Sequence, residues 1–317
     1  MRSGTTPRKP ARSHWMWIVA ARTVLVSILA ALTGLVAVAG PSSTPAGASD
    51  NLAPLHVGIL PTNSAPVVLR MYQPMRSFLE SELKREVILE TATSYRAFYD
   101  DTRHGIFDLV VTAPHLARLH QIDGGLHALA MNNSLTKTVI VVRDDSDVHD
   151  LQHLRGKVIA LHDPASASVI QGVAWLRKVG LEVGRDYQTL HLPTQTSTVL
   201  AVIEGRATAG VITSAGLAQF PGPPAEKVRV LTGIGTLSGL VYMAGPQVDQ
   251  AQRQALAVAL LKFPSNEPLW SQFTGASGYG RIMTVDNARL RKMDPLLPAT
   301  RRALAGEPAR PAVPGSL

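Results

Sequence analysis

Short apolar runs recur along this chain, and each is followed by a segment with apolar residues at helical spacing. LHVGIL (Leu55–Leu60) precedes VVLRMYQPMRSFLESELKR, VILETA precedes SYRAFYDDTRHG, and FDLVVT precedes PHLARLHQI. Strand, helix, strand, helix at this rhythm predicts a parallel sheet with helices on its faces. Such sheets place ligands at the carboxyl ends of their strands. Pro74 inside the first helical stretch predicts a kink or a late start, because proline removes a helix donor and crowds the preceding turn. A long apolar run, TKTVIVVRDDS, breaks the rhythm and is read as a strand passing from one domain to the next. The pattern then restarts with HDLQHLRG as a helix, KVIALH as a strand, SVIQGVAWLRKVG as a helix, DYQTLHL as a strand, STVLAVIEG as a helix and AGVIT as a strand. KVRVLT and GLVYMAG follow, the second as a return crossing, then the amphipathic DQAQRQALAVALLKF, a short helix and turn in PSNEPLWSQFTG, and RIMTVDNARLRKMDPLL folding back on the first domain. The expected fold is α/β with two lobes, the second inserted into the first and joined to it by two crossings, which makes a hinge and a cleft. The expected boundaries are residues 49–141 with 241–300 for one lobe, 142–240 for the other, and 301–317 as a disordered tail of Pro- and Gly-rich composition.

The first residues carry Arg2, Arg8, Lys9 and Arg12 without an acid, and TVLVSILAALTGLVAVAG follows from Thr23 to Gly40. This is the layout of an export signal with small residues before Ala39 and Ala48, and Ala48 is the favoured cleavage point. The apolar run also approaches the roughly 20 residues that span a bilayer, so an uncleaved anchor beginning near Arg22 is the competing reading. PSSTPAGASD reads as a flexible spacer, so residues 1–48 are assigned to signal and spacer. The chain has a formal charge of +8, but five cations lie in that leader and the remainder carries +3. A nucleic-acid footprint loses its main support. The chain has no cysteine, which excludes disulfides, thiolate metal sites, cysteine nucleophiles and a lipid-modified N-terminal cysteine.

The stretch HDPASASVIQG, His162 to Gly172, packs serines and small residues into a strand-to-helix junction. A helix start leaves unpaired N–H groups and a partial positive charge, so hydroxyls and bare backbone there form an anion cradle without a lysine. On local sequence alone, ordinary capping is the favoured reading of Ser166 and Ser168.

The ordered landmarks VGILPT, SYRAFYDDTRHGIFDLVVTAP, VVRDDS, LQHLRGKVIALHDPASAS, GRDYQTLH and LAVIEGRATAGVITS resemble the phosphate/phosphite/phosphonate branch of periplasmic substrate-binding proteins of ABC transporters. The resemblance runs from about Leu55 to Met293, and its most specific element is LRGK, a strand, DPxSxS and a helix. It implies a type II periplasmic binding protein fold and an exported, non-enzymatic receptor that presents a small anionic solute to an ABC permease. It further implies a monomer without cofactor, catalytic residue or metal. Members hold the oxoanion in a Ser-Thr-Ser-like turn, which falls here on Ser166, Ala167 and Ser168, so the middle hydroxyl is absent. Tyr95 matches a cleft aromatic. Thr112 stands where a second cleft tyrosine occurs, Gln195 where a histidine occurs, and Ala215 near the acid that receives a substrate ammonium. These departures weigh against an aminoalkylphosphonate.

A helix dipole contributes about 0.3–1 kcal/mol when exposed and up to roughly 2 when partly buried, whereas micromolar binding needs about 8 kcal/mol. Donors must therefore converge from both lobes. The candidates are Thr62, Asn63 and Ser64 in the first loop, Tyr95, Thr112 before PHLARL, and Thr213 and Ser214 at the end of AGVIT, with turn formation the competing role for the first three. His149 and His153 have i, i+4 spacing suited to metal, but no third ligand is readable and two solvated histidines are the expectation. Asp144, Asp145 and Asp147 read as a solvated cluster. GIGTLSG (Gly233–Gly239) reads as a flexible turn beside the cleft rather than a dinucleotide loop. GASGYG lacks the order of a nucleophile elbow, and Trp175 reads as core. Two other functions stay open: a sensory partner of a membrane kinase or chemoreceptor, and, less favoured, an enzyme on the same fold.

Overall fold

The computed structural model describes residues 52–220 and 226–306. The leader and spacer, both expected cleavage points, and tail residues 307–317 lie outside the described residues. In chain order, β1 (Leu55–Ile59) leads to α1 (Ala65–Met71) and α2 (Gln73–Leu83), β2 (Val87–Thr91) to α3 (Tyr95–Arg103), and β3 (Leu109–Thr112) to α4 (Pro114–Asp123) and β4 (His127–Asn132). Then come β5 (Leu135–Arg143), β6 (Val158–Leu161), α5 (Ala167–Lys178), β7 (Gln188–His191), α6 (Gln195–Ile203), β8 (Ala209–Thr213), α7 (Ser214–Ala218) and β9 (Val228–Ser238). The chain closes with β10 (Val241–Ala244), α8 (Gln250–Lys262), α9 (Glu267–Ser277), β11 (Ile282–Met283), α10 (Asn287–Arg291) and α11 (Leu297–Leu304). Two sheets result, ordered β11-β4-β10-β3-β1-β2 and β7-β6-β8-β5-β9. β1 pairs in parallel with β2 and β3, and β6 with β7 and β8, while β10 and β5 run antiparallel to their neighbours.

Each sheet is buried on both faces, which is why its strands read as continuous apolar runs. Leu109 and Val111 face α1, α2, α8 and α9 in one core cluster, while Val110 joins Leu116, Met131 and Met243 on the opposite face. In the second sheet, Ile140 and Val142 pack toward α5, and Val139 and Val141 toward α6. Trp175 packs half-buried against the α5 side of that sheet, as its apolar stripe predicts. At Pro74 the expected kink is a full break: α1 stops, Tyr72 takes φ −93° and ψ 0°, and α2 restarts with the proline in its first turn. A missing N–H costs nothing there.

Four local expectations are corrected. TKTVIVVRDDS does not carry the chain between sheets, because β5 lies wholly in the second sheet from Leu135 and the switch occurs at Asn133–Ser134. GIGTLSG is not a turn but the latter half of β9, paired with β5 through Ser238. Gly235 serves packing, since a Cβ there would meet the Gln171 amide nitrogen at 2.7 Å. HDLQHLRG forms only a single 3-10 turn at Gln152–Leu154, because the Asp150 carboxylate takes the Gln152 and His153 N–H groups at 2.7 and 3.2 Å and ties down the turn. His153 Nδ1 accepts the His149 N–H at 3.2 Å, so the pair is linked through backbone rather than displayed together. Finally, residues 301–304 are not tail: they complete α11, whose Thr300 is buried.

The chain returns to the first sheet at Gly239–Leu240, and there the two crossing segments touch. A Cβ on Gly239 would lie 2.7 Å from the Asn132 carbonyl oxygen and 2.8 Å from Ser134 Oγ. Backbone cannot yield as a side chain can, so Gly239→Ala should destabilise the protein by about 1–3 kcal/mol. At roughly 2–4 °C per kcal/mol for a domain of this size, the unfolding midpoint should fall by several degrees. An unchanged midpoint by circular dichroism would show that the crossings separate easily.

Candidate functional site

A cavity of about 320 Å³ opens between the two sheets, beyond the carboxyl ends of their parallel strands. Helix starts from both sheets line it: Tyr95 of α3, Ala113 and Pro114 at α4, Ser166, Ala167 and Ser168 at α5, Gln195 of α6, and Thr213 to Gly216 at α7. The crossings contribute Ser134, Gly239 and Leu240. Among the described residues no lysine, arginine, aspartate or glutamate lines the wall. Its polarity comes from hydroxyls, amides and helix N–H groups alone.

Two of these helix starts, α4 behind Ala113 and α5 behind Ser166, lack a side-chain cap, and of the two only α5 has a hydroxyl at the capping position. Ser94 caps α3 by accepting the Ala97 N–H, Thr194 caps α6 through Ser197, and Thr213 caps α7 through Gly216. Ser166 occupies the capping position of α5 but makes no such bond. Its hydroxyl instead lies 2.9 Å from His162 Nε2 and 3.0 Å from Ser168 Oγ, and Ser168 Oγ lies 3.2 Å from the same imidazole nitrogen. The ordinary capping reading of these serines is thereby overturned. With the cap diverted, the first N–H groups of α5 stay available where a hydroxyl pair also points. His162 is buried, and burial pushes its pKa down to about 4 against a weaker opposite pull from the Val211 backbone. A neutral ring holds the two serines without adding charge.

Tyr95 is tied to the same loop: its N–H donates to Asp163 Oδ2 at 2.9 Å, while Asp163 Oδ1 accepts from Ala165 N at 2.9 Å. Burial raises its phenol pKa, the Asp163 charge adds to the rise, and a hydrogen bond with Ser166 acts against it. The phenol is therefore a donor at neutral pH. Further contacts join the two halves. His115 Nε2 lies 2.8 Å from the Ala165 carbonyl oxygen. Asn63 donates to Gln219 Oε1 at 3.2 Å and accepts from Thr196 Oγ1 at 2.9 Å, and Gln219 donates to the Ser277 carbonyl.

Among the other expected residues, Thr62, Gln195, Thr213 and Ser214 line the cavity. Gln195 Oε1 is committed to the Thr213 N–H and hydroxyl at 2.7 and 2.9 Å. Ser214 Oγ is committed to Lys137 N at 3.0 Å and Thr136 Oγ1 at 3.2 Å. Asn63 lies outside the wall and joins the halves instead. Ser64 is exposed at the start of α1, and Thr112 is fully buried in the sheet, so neither reaches the cavity. Ala215 lines it without an acid nearby. Sequence reasoning missed His162, although its offsets of four and six residues from the serines after a strand were readable. It also missed Ser134, Thr136, Gln219 and Tyr279, which no local signal marks. Tyr279 sits in GASGYG; burial raises its pKa, opposed by the neighbouring Gln219 and Thr62 side chains.

Residues 57–288 match the family described as ABC transporter, phosphonate, periplasmic substrate-binding protein. Among solved structures, a binding protein component of an ABC phosphonate transporter from Pseudomonas aeruginosa aligns with a TM-score of 0.71 at 14% identity, covering 81% of this chain and 90% of that one. PhnD1 from Prochlorococcus marinus, in complex with methylphosphonate, aligns at 0.68 and 15% identity, covering 77% and 96%. A Xanthomonas citri protein bound to ATP aligns at 0.65 and 18% identity, covering 80% and 98%. At these identities the shared property is the two-lobed fold.

Proposed function

Because this chain belongs to the phosphonate periplasmic substrate-binding protein family of ABC transporters, we propose that it captures a small phosphorus oxoanion in the cavity and delivers it to a permease. The observation that carries this reading is the uncapped start of α5, with Ser166 and Ser168 held on His162 in a wall without side-chain charge. An oxoanion there meets backbone N–H groups, hydroxyl donors and the positive end of a helix, and among the described residues no carboxylate lines the wall. The ligands solved with two structural neighbours, methylphosphonate in one and ATP in the other, both carry phosphorus oxoanions. Residues flanking the crossings at Asn133–Ser134 and Gly239–Leu240 act as the pivot between lobes, so that donors from both close on the solute and exclude water. The mature protein works outside the cytoplasmic membrane; among the described residues no helix is long and apolar enough to cross one.

The test uses protein unfolded and refolded to strip carried ligand, then thermally unfolded against phosphate, phosphite, methylphosphonate, 2-aminoethylphosphonate and sulfate. A phosphorus oxoanion at about 100 times its dissociation constant should add roughly 2.7 kcal/mol of stability. The amino group of 2-aminoethylphosphonate should give no advantage over methylphosphonate, because no acid lines the wall. A folded sample that shifts with none of the phosphorus compounds overturns the reading.

A further inference from the structure

A further hollow adjoins the oxoanion cradle. A second chamber of about 560 Å³ shares Leu135, Leu237 and Ser238 with the first, and its far wall carries Arg289, Lys292 and Met293. One apolar cluster lies where the two meet: Ala167, at the start of α5, packs with Leu237 and Met293, with Leu296 against them. Beyond this cluster the lining turns cationic. Arg289 is steadied by Asp286 at 3.3 Å and by the Asn133 carbonyl at 3.3 Å, whereas Lys292 is exposed and makes no ion pair among the described residues. A wall that is neutral at one end, apolar along the middle and cationic at the other fits a ligand of matching sequence.

Resting on the oxoanion reading above, we infer that the solute is an extended organophosphorus compound: a phosphonate or phosphate head on α5, an apolar spacer over Leu237 and Met293, and a second anionic group near Lys292. Inorganic phosphate and short alkylphosphonates then occupy only the inner chamber. A substituent ending in an ammonium meets like charge instead of a partner. Burying each added methylene favours the longer ligand, and the terminal charge adds an attraction that salt screens because Lys292 is exposed.

The experiment measures dissociation constants by calorimetry for methylphosphonate and for two matched series, straight-chain alkylphosphonates and ω-carboxyalkylphosphonates from 3-phosphonopropanoate to 6-phosphonohexanoate. At one or more lengths the carboxylate member should bind roughly fivefold more tightly than the neutral chain of equal length, as an exposed ion pair allows. Lys292→Gln should erase that difference, and raising salt from 0.05 to 0.5 M in the unaltered protein should shrink it. Equal affinities at every length, or a difference that survives Lys292→Gln, overturn this inference while methylphosphonate binding keeps the oxoanion reading intact. Failure of every phosphorus compound to bind overturns both.

Discussion

Changing Ser166 and Ser168 together to alanine is expected to weaken oxoanion binding roughly a hundredfold to ten-thousandfold. In the proposed complex each hydroxyl turns to donate to the charged solute, and such bonds are worth about 1.5–3 kcal/mol apiece. The same change strips His162 Nε2 of both partners in a site where the ring is only 1% exposed. A buried polar atom left unpaired costs about 1–3 kcal/mol, so the double variant should also unfold more readily. The two effects separate by measurement: calorimetry on the folded variant reports the lost donors, and urea unfolding reports the stranded imidazole. Ser64→Ala, exposed and outside the cavity, serves as the control and should change neither. Full affinity in a folded double variant would remove these hydroxyls from the site.

Mild acid should destabilise the protein steeply. Burial pushes the pKa of His115 down to about 4, that of His162 to about 4, and that of His120, beside Arg103, to about 3. The Ala165 carbonyl resists the change at His115, and Asp123 resists it at His120. In the unfolded chain all three titrate near 6.5. Between pH 6.5 and 4 the unfolded state therefore binds more protons than the folded one, and stability falls as pH falls. The limiting slope is about 1.4 kcal/mol per pH unit for each histidine, or roughly 5 kcal/mol for the three between pH 6.5 and 5. That is comparable to the whole stability of a small protein. His120 offers a clean test. It stacks on Tyr99 with ring centroids 4.3 Å apart, and neither ring nitrogen has a hydrogen-bond partner among the described residues. His120→Phe should remove about a third of the slope without costing a bond, as read by urea unfolding at pH 7, 6 and 5. A profile flat down to pH 5 would mean that these rings are protonated in place.

Much of the fold was legible because both sheets are buried on two faces, so strands such as FDLVVT and AGVIT stand out as unbroken apolar runs between helical segments. The errors arose where local composition competed with tertiary pairing. GIGTLSG has turn chemistry, but β5 supplies hydrogen-bond partners along it and Gln171 fills the space its glycine leaves. HDLQHLRG has helical spacing, but Asp150 closes a tighter turn first. At the site, the α5 junction was readable from HDPASAS because its parts are contiguous. Tyr279 and Gln219 were not, because only folding brings them beside Thr62, and nothing in GASGYG signals a neighbour so far away in sequence. Thr112 failed for the opposite reason: its place at a strand end is right, yet it sits fully buried in the sheet, away from the cavity wall.

The contacts that join the two halves, Tyr95 to Asp163, His115 to Ala165, Asn63 to Gln219 and Thr196, and Gln219 to Ser277, each have at least one uncharged partner. Among the described residues no ion pair links the two sets of elements. Dissolved salt screens charge against charge over about 8–10 Å and barely weakens such short bonds, in which no charge faces another. Ionic strength is thus expected to act on this protein as a selective reagent: it tunes the pull on the charged solute proposed above while leaving the jaws equally firm in dilute and in saline surroundings.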